Sequence, residues 1–117
     1  LIAYGPDVDK FIAKIESNKL NIAVINARFI KPFDETLLQE IAALNVPIYT
    51  YENEMLNGGL SSQIINFYSD HNINVNITRF GIDDEYIKHG SILSLRKLYN
   101  LDTNYVLNTI KDDIERM

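Results

Sequence analysis

A three-layer α/β/α fold around a mostly parallel sheet of about four strands is what this sequence predicts. Three observations carry that prediction. Short β-rich apolar runs alternate with segments whose apolar residues recur at helical spacing, the layout of successive βαβ units. One of those runs, "LNIAVIN" at 20–26, is nearly continuous in apolar residues, as strands covered on both faces are. The 117 residues, 46% hydrophobic and 23% charged, suit one domain with a real core.

Each element follows in order. "LIAY" (1–4) reads as a buried strand broken by Gly5-Pro6, and Pro6 suits the first turn of a helix. Val8, Phe11, Ile12 and Ile15 form that helix's apolar stripe. After the 20–26 strand, "ARFIKPF" (27–33) is a loop, and Asp34 caps a helix striped by Leu37, Leu38, Ile41 and Leu44. "PIYTYE" (47–52) is the third strand, followed by a helix through Leu60, Ile64, Ile65 and Tyr68. "NVNITRFG" (74–81) alternates and is β-branched, which predicts a fourth strand nearer an edge. Ser91 is expected to cap a short helix through Ile92, Leu95 and Leu98. Asp102 or Thr103 caps the last helix, with Val106, Ile110 and Ile114 as its stripe.

Charge and composition exclude several functions. A net charge of −5 argues against nucleic acid, which needs a basic surface. The longest apolar runs are far too short to span a membrane. With no cysteine there is no disulfide, thiolate zinc site or cysteine nucleophile, a composition that fits the cytoplasm. The opening at Leu1, inside an apolar run, predicts a C-terminal piece of a longer chain.

Three polar clusters are candidate sites. In "YENEMLNGGLSSQII" (51–65), Gly58 and Gly59 precede a helix, where backbone N–H groups can cradle a phosphate. Glu52 and Glu54 oppose that reading, and no P-loop lysine follows the glycines. The glycines are expected to let the chain turn tightly and the helix pack close to the sheet. The two glutamates read as a solvated cap or as ion-pair partners, and Met55 and Leu56, apolar in a loop, as docking residues. In "NARFIKPFD" (26–34), Arg28 and Lys31 lie where parallel sheets bind ligands, but a buried Arg28–Glu52 pair is the favoured reading. In "KHGS" (88–91), His89 reads as a local hydrogen-bonding residue before a helix. The run "DDE" (83–85) reads as solvated.

Together these stretches resemble a known family. "NARFIKPFD" is similar to the asparagine–x–arginine–phenylalanine–x–lysine–proline–leucine–aspartate run of 1-deoxy-D-xylulose-5-phosphate synthases. "ENEMLNGGLSS" resembles that family's glutamate–x–asparagine, glycine pair and serine, and "GIDDEYIKHGS" its glycine–leucine–proline–aspartate loop with a later histidine–glycine. Leu101-Asp102 matches the pair before its last helix. Order and spacing agree over essentially the whole chain, with Phe33 for the usual leucine and Asp83 for the usual proline.

The resemblance implies the third, C-terminal domain, of transketolase C-terminal type, with strand order 2-1-3-4. It implies a homodimeric parent enzyme that condenses pyruvate with D-glyceraldehyde 3-phosphate and releases carbon dioxide. That enzyme uses thiamine diphosphate and Mg²⁺, and its product feeds isoprenoid, thiamine and pyridoxal phosphate synthesis. Cofactor and metal would be held by upstream domains of the same chain, so the resemblance carries no catalytic, cofactor or metal residue onto these positions. It also implies an antiparallel edge strand upstream of Leu1. Alternatives are the corresponding domain of a transketolase or of a 2-oxoacid dehydrogenase beta subunit. A small-ligand regulatory module using Arg28, Lys31, Glu52 and His89, or a stand-alone flavodoxin-like protein, would be a different class.

Overall fold

The computed structural model describes residues 1–4, 7–27, 35–52, 59–81 and 90–116. Within them the order is β1 (Ile2–Tyr4), α1 (Val8–Ser17), β2 (Ile25–Asn26), α2 (Glu35–Ala43), β3 (Ile48–Glu52), α3 (Leu60–Asp70), β4 (Asn76–Phe80), β5 (Ser94–Leu98) and α4 (Thr103–Glu115). The described strands form a five-stranded sheet ordered β2-β1-β3-β4-β5. Every pairing is parallel. The expected order 2-1-3-4 is present, extended by a fifth strand.

Because successive strand residues face opposite ways, each strand feeds two cores. Ile2, Ile48 and Ile77 join Leu38 of α2 and Ile64, Ile65 and Tyr68 of α3 in one apolar cluster. Ala3, Tyr49, Tyr51 and Phe80 join Phe11 of α1 and Val106 and Ile110 of α4 in the other. The α/β/α layering follows: α2 and α3 cover one face, α1 and α4 the other.

Polar side chains tie the layers at their edges. Tyr68 Oη donates to the Leu38 carbonyl at 2.8 Å, joining α3 to α2. Tyr49 Oη donates to Asp113 at 3.0 Å, and Asp113 also binds Arg96, which reaches Thr78 Oγ1 at 3.2 Å. That chain fastens α4 across β3, β4 and β5. Tyr51 Oη donates to Asp7 at 2.7 Å, while its ring meets Phe11 edge-on at 4.7 Å between centroids. Asp102 caps α4 as expected, accepting from the Tyr105 N–H at 3.1 Å. Helices α1 and α3 end through left-handed residues, Lys19 at φ 53° and Asn72 at φ 55°. The next N–H of each bonds back to Ile15 and Tyr68 respectively, closing the last turn.

Four expectations need correction. Residues 94–98 are a strand, not part of a helix begun at Ser91. Leu95 and Leu98 are three apart, which mimics a helical stripe, but they serve opposite faces of the sheet and pack into the two different cores. Because β5 pairs with β4 from Asn76–Ser94 to Phe80–Leu98, β4 is the next-to-edge strand and not the edge strand that the order 2-1-3-4 implied. The 20–26 run yields only two strand residues, for β2 is an edge strand whose one neighbour, β1, has three. Leu44 lies beyond the end of α2 and is 69% exposed, and Ile12 is exposed beside the true α1 stripe of Val8, Phe11 and Ile15. No helix among the described residues is long and apolar enough to cross a membrane.

Gly90 is a glycine for reasons of space. A Cβ built there would lie 2.0 Å from Ser69 Oγ and 3.2 Å from the Ser69 carbonyl oxygen. Its N–H donates to Ser69 Oγ, and Ser91 Oγ donates to Asn72 at 2.9 Å, so the entry to β5 is pinned to the end of α3. Gly90→Ala is expected to cost about 1–3 kcal/mol, the range for overpacking, read as a lower urea midpoint at unchanged slope.

Burial also fixes an alkaline limit. It raises the Tyr68 phenol from its ordinary 10.0 to about 12. The folded state therefore holds this proton more tightly than the unfolded chain. Its contribution is complete below pH 10 and is lost as pH rises toward 12. Tyr49 shifts in the same direction, through burial and then its bond to Asp113. Tyr68→Phe should flatten the fall in stability over that window without abolishing it. Losing the bond to Leu38 should cost about 1 kcal/mol at neutral pH. Urea titrations at pH 7, 10 and 11 measure both.

Candidate functional site

The strand-to-helix junction after β3 is the strongest polar constellation at the sheet's C-terminal end. Parity builds it. Thr50 and Glu52 follow Ile48 on the α2–α3 face, and Arg79 follows Val75 and Ile77 on that face of β4. Thr50 stands opposite Arg79 in the parallel register. Ser61, in the first turn of α3, lies over them. All four are buried: Thr50 at 0%, Ser61 at 1%, Glu52 at 3% and Arg79 at 4% exposure.

The bonds run in one direction. Arg79 Nε donates to Ser61 Oγ at 2.8 Å, and Ser61 Oγ donates to Glu52 Oε1 at 2.8 Å. The Ser61 backbone N–H also points at Glu52 Oε1, at 3.4 Å. Gly59 is the N-cap of α3 and offers no side chain, and the first turn holds no acidic residue. A carboxylate from the preceding strand therefore supplies the negative charge that a helix N-terminus favours. The position where a bound phosphate would sit against this helix already has an anion of the chain's own.

At Gly59 the backbone has φ −92°, which any residue adopts. A Cβ there would meet only the Gln63 side chain, at 3.2 Å for the nearest atom. Close packing of the helix on the sheet does not require this glycine, contrary to expectation. Glu52 is likewise not a solvated cap: it is buried and hydrogen-bonded. Arg28, Lys31, Met55, Leu56, Gly58 and His89 lie outside the described residues, as do Glu54, Asp34 and 83–85, so the Arg28–Glu52 pair and the docking and ligand readings are not resolved by the geometry.

Arg79 and Ser61 are the members that sequence reasoning passed over. A signal was present. In "NVNITRF" the inward parity runs Val75, Ile77, Arg79, so a cation occupies a position otherwise reserved for apolar residues. Such a residue must find partners inside.

Chemically, the hydrogen bonds give the cluster a holding role. Glu52 and Arg79 act as fixed charges joined through a hydroxyl. Among the described residues no three His, Asp or Glu side chains gather as metal ligands. Among the described residues, this cluster offers a thiamine diphosphate–Mg²⁺ centre no set of metal ligands.

Residues 1–106 match the family described as Transketolase, C-terminal domain. The chain belongs to that family. Curated relatives of this transketolase-type domain include the 1-deoxy-D-xylulose-5-phosphate synthases of Macrococcus caseolyticus, Geobacillus sp. and Geobacillus thermodenitrificans. The first is 38% identical over 115 residues, 95% of this chain and 18% of the relative. The second is 38% identical over 104 residues, 88% of this chain and 16% of the relative. The third is 38% identical over 120 aligned residues, 99% of this chain and 19% of the relative. The domain thus spans less than a fifth of the length of these relatives. No solved structure matched the chain.

Removing one charge from the cluster should be more harmful than removing both. Arg79→Met is expected to cost about 3–5 kcal/mol, because it removes the buried cation linked through Ser61 to the buried Glu52. Arg79→Met with Glu52→Met should recover a large part of that loss. Urea unfolding of the two variants checks this, and equal losses would contradict a charge-coupled cluster.

Proposed function

We propose that this chain is the C-terminal domain of a 1-deoxy-D-xylulose-5-phosphate synthase, with a supporting rather than a chemical role. The intact enzyme condenses pyruvate with D-glyceraldehyde 3-phosphate and releases carbon dioxide. The observation that carries the reading is agreement at 38% identity over 88–99% of the chain with relatives bearing that name. Thiamine diphosphate and Mg²⁺ belong to the upstream domains in this reading, which supply the carbanion chemistry. The enzyme is cytoplasmic and homodimeric.

The role of this domain is to present a rigid surface to the upstream domains and to the dimer. What supports a supporting role is the Glu52–Ser61–Arg79 cluster, whose buried members are hydrogen-bonded in series through Ser61 at the sheet's C-terminal end, where α/β proteins commonly bind ligands. Met55 and Leu56, between β3 and α3, are the proposed docking residues.

The test uses the intact protein. Supplied with pyruvate, D-glyceraldehyde 3-phosphate, thiamine diphosphate and Mg²⁺, it should form 1-deoxy-D-xylulose 5-phosphate with equimolar carbon dioxide. Two-carbon transfer from a ketose phosphate, or acetyl transfer to a lipoyl group, would reassign it within the family. Met55→Asp with Leu56→Asp should weaken assembly in sedimentation experiments and lower activity in parallel. Unchanged assembly and activity would remove these residues from the interface.

A further inference from the structure

The chain is acidic overall, yet the groove between α1 and α4 is lined by cations. One cavity of about 210 Å³ is bordered by Lys14, Asn18, Asn104, Asn108 and Lys111 together with two leucines, and by no carboxylate. It adjoins a second of about 300 Å³, which shares Lys111 and adds Lys19, with Glu115 at its border. The spacing explains the arrangement. Lys14 and Asn18 are one turn apart on α1, and Asn104, Asn108 and Lys111 fall on one face of α4.

Lys14 is held in place by neutral groups. Its Nζ donates to Thr103 Oγ1 and to Asn104 Oδ1, each at 2.7 Å. An ammonium carries three N–H donors, so one is left over. Because Asn104 uses its amide oxygen on Lys14, its N–H₂ group is left as a donor as well. The two oxygens fix where this ammonium stands at the edge of the cavity. A second ammonium, Lys111, borders the same cavity.

We propose that the α1–α4 groove binds a small polyanion of the phosphate class, through Lys14 and Lys111 with the Asn104 and Asn108 amides as supporting donors. The site lies on the face of the sheet opposite the Glu52 cluster, and the proposal is independent of the synthase reading.

Inorganic pyrophosphate is the probe, titrated into the ¹⁵N-labelled chain at constant ionic strength and followed by amide and side-chain NH₂ shifts. Saturable shifts centred on Asn104, Asn108 and Lys111, with a Kd of about 1 mM or tighter, are expected. Lys14→Met with Lys111→Met should weaken binding at least about tenfold, one lost hydrogen bond to a charged group being of that order. Lys10→Met removes a cation outside the groove, one that pairs with Asp7 at 3.4 Å, and should leave affinity unchanged. If the double variant fails to fold, Asn108→Asp, at an exposed position, places a negative charge at the cavity and should abolish the shifts. Shifts that never saturate, or equal weakening by Lys10→Met, would overturn the proposal.

Discussion

A carboxylate buried at the end of the central strand is the constraint around which this domain is arranged. Taking an ion out of water costs several kcal/mol unless donors replace the lost hydration. Glu52 Oε1 faces the Ser61 hydroxyl and backbone N–H, and Ser61 in turn is held by Arg79. The three come from β3, α3 and β4, so satisfying one charge fixes the register of two adjacent strands and the seat of the helix above them. A one-residue slip of β4 would turn Arg79 to the opposite, α1–α4 face and leave Glu52 without it. The parallel register in which Thr50 faces Arg79 is thus enforced by chemistry as well as by the apolar pattern.

That cluster also explains the character of the site. Phosphate-binding junctions in α/β proteins leave helix N–H groups open to a ligand. Here the strand's own last residue points at the first turn of α3 and takes that place. The junction looks like a ligand loop in composition and works as an internal cap. In the proposed reading, the chemistry of the intact enzyme falls to other domains and this one contributes shape. The opposite face follows a different plan. Tyr49, Asp113, Arg96 and Thr78 knit α4 to the strands nearer the edge, and the groove between α1 and α4 carries lysines in an otherwise acidic molecule.

Most of the fold was legible because a parallel sheet covered on both sides leaves strong local traces. Strand β3 and helices α1, α3 and α4 could be read from apolar runs, stripes and the Asp102 cap. What failed has identifiable causes. Leu95 and Leu98 fit two periods at once, and only pairing with β4 decides for the strand. The length of β2 is limited by its short neighbour and not by its own apolar content. At the site, Glu52 was legible as a residue of consequence, and the inward parity of β4 marks Arg79 as one that needs a buried partner, but their meeting was not legible. Ser61 and Arg79 are nine and twenty-seven residues further along, and nothing local announces that a strand parity and a helix turn bring them together. The family resemblance, by contrast, rested on ordered motifs spread across the chain. Several of these lie in connections outside the described residues, where sequence carries more than backbone geometry does.

The claim that this domain supports chemistry performed elsewhere is tested most directly by calorimetric titration of thiamine diphosphate with Mg²⁺ into the 117-residue chain. No saturable heat is the expected result, since the anion position at the head of α3 is filled by Glu52. Saturable binding at micromolar affinity would contradict the account: a phosphate site would then exist in this domain, and the buried carboxylate would have to give way to it.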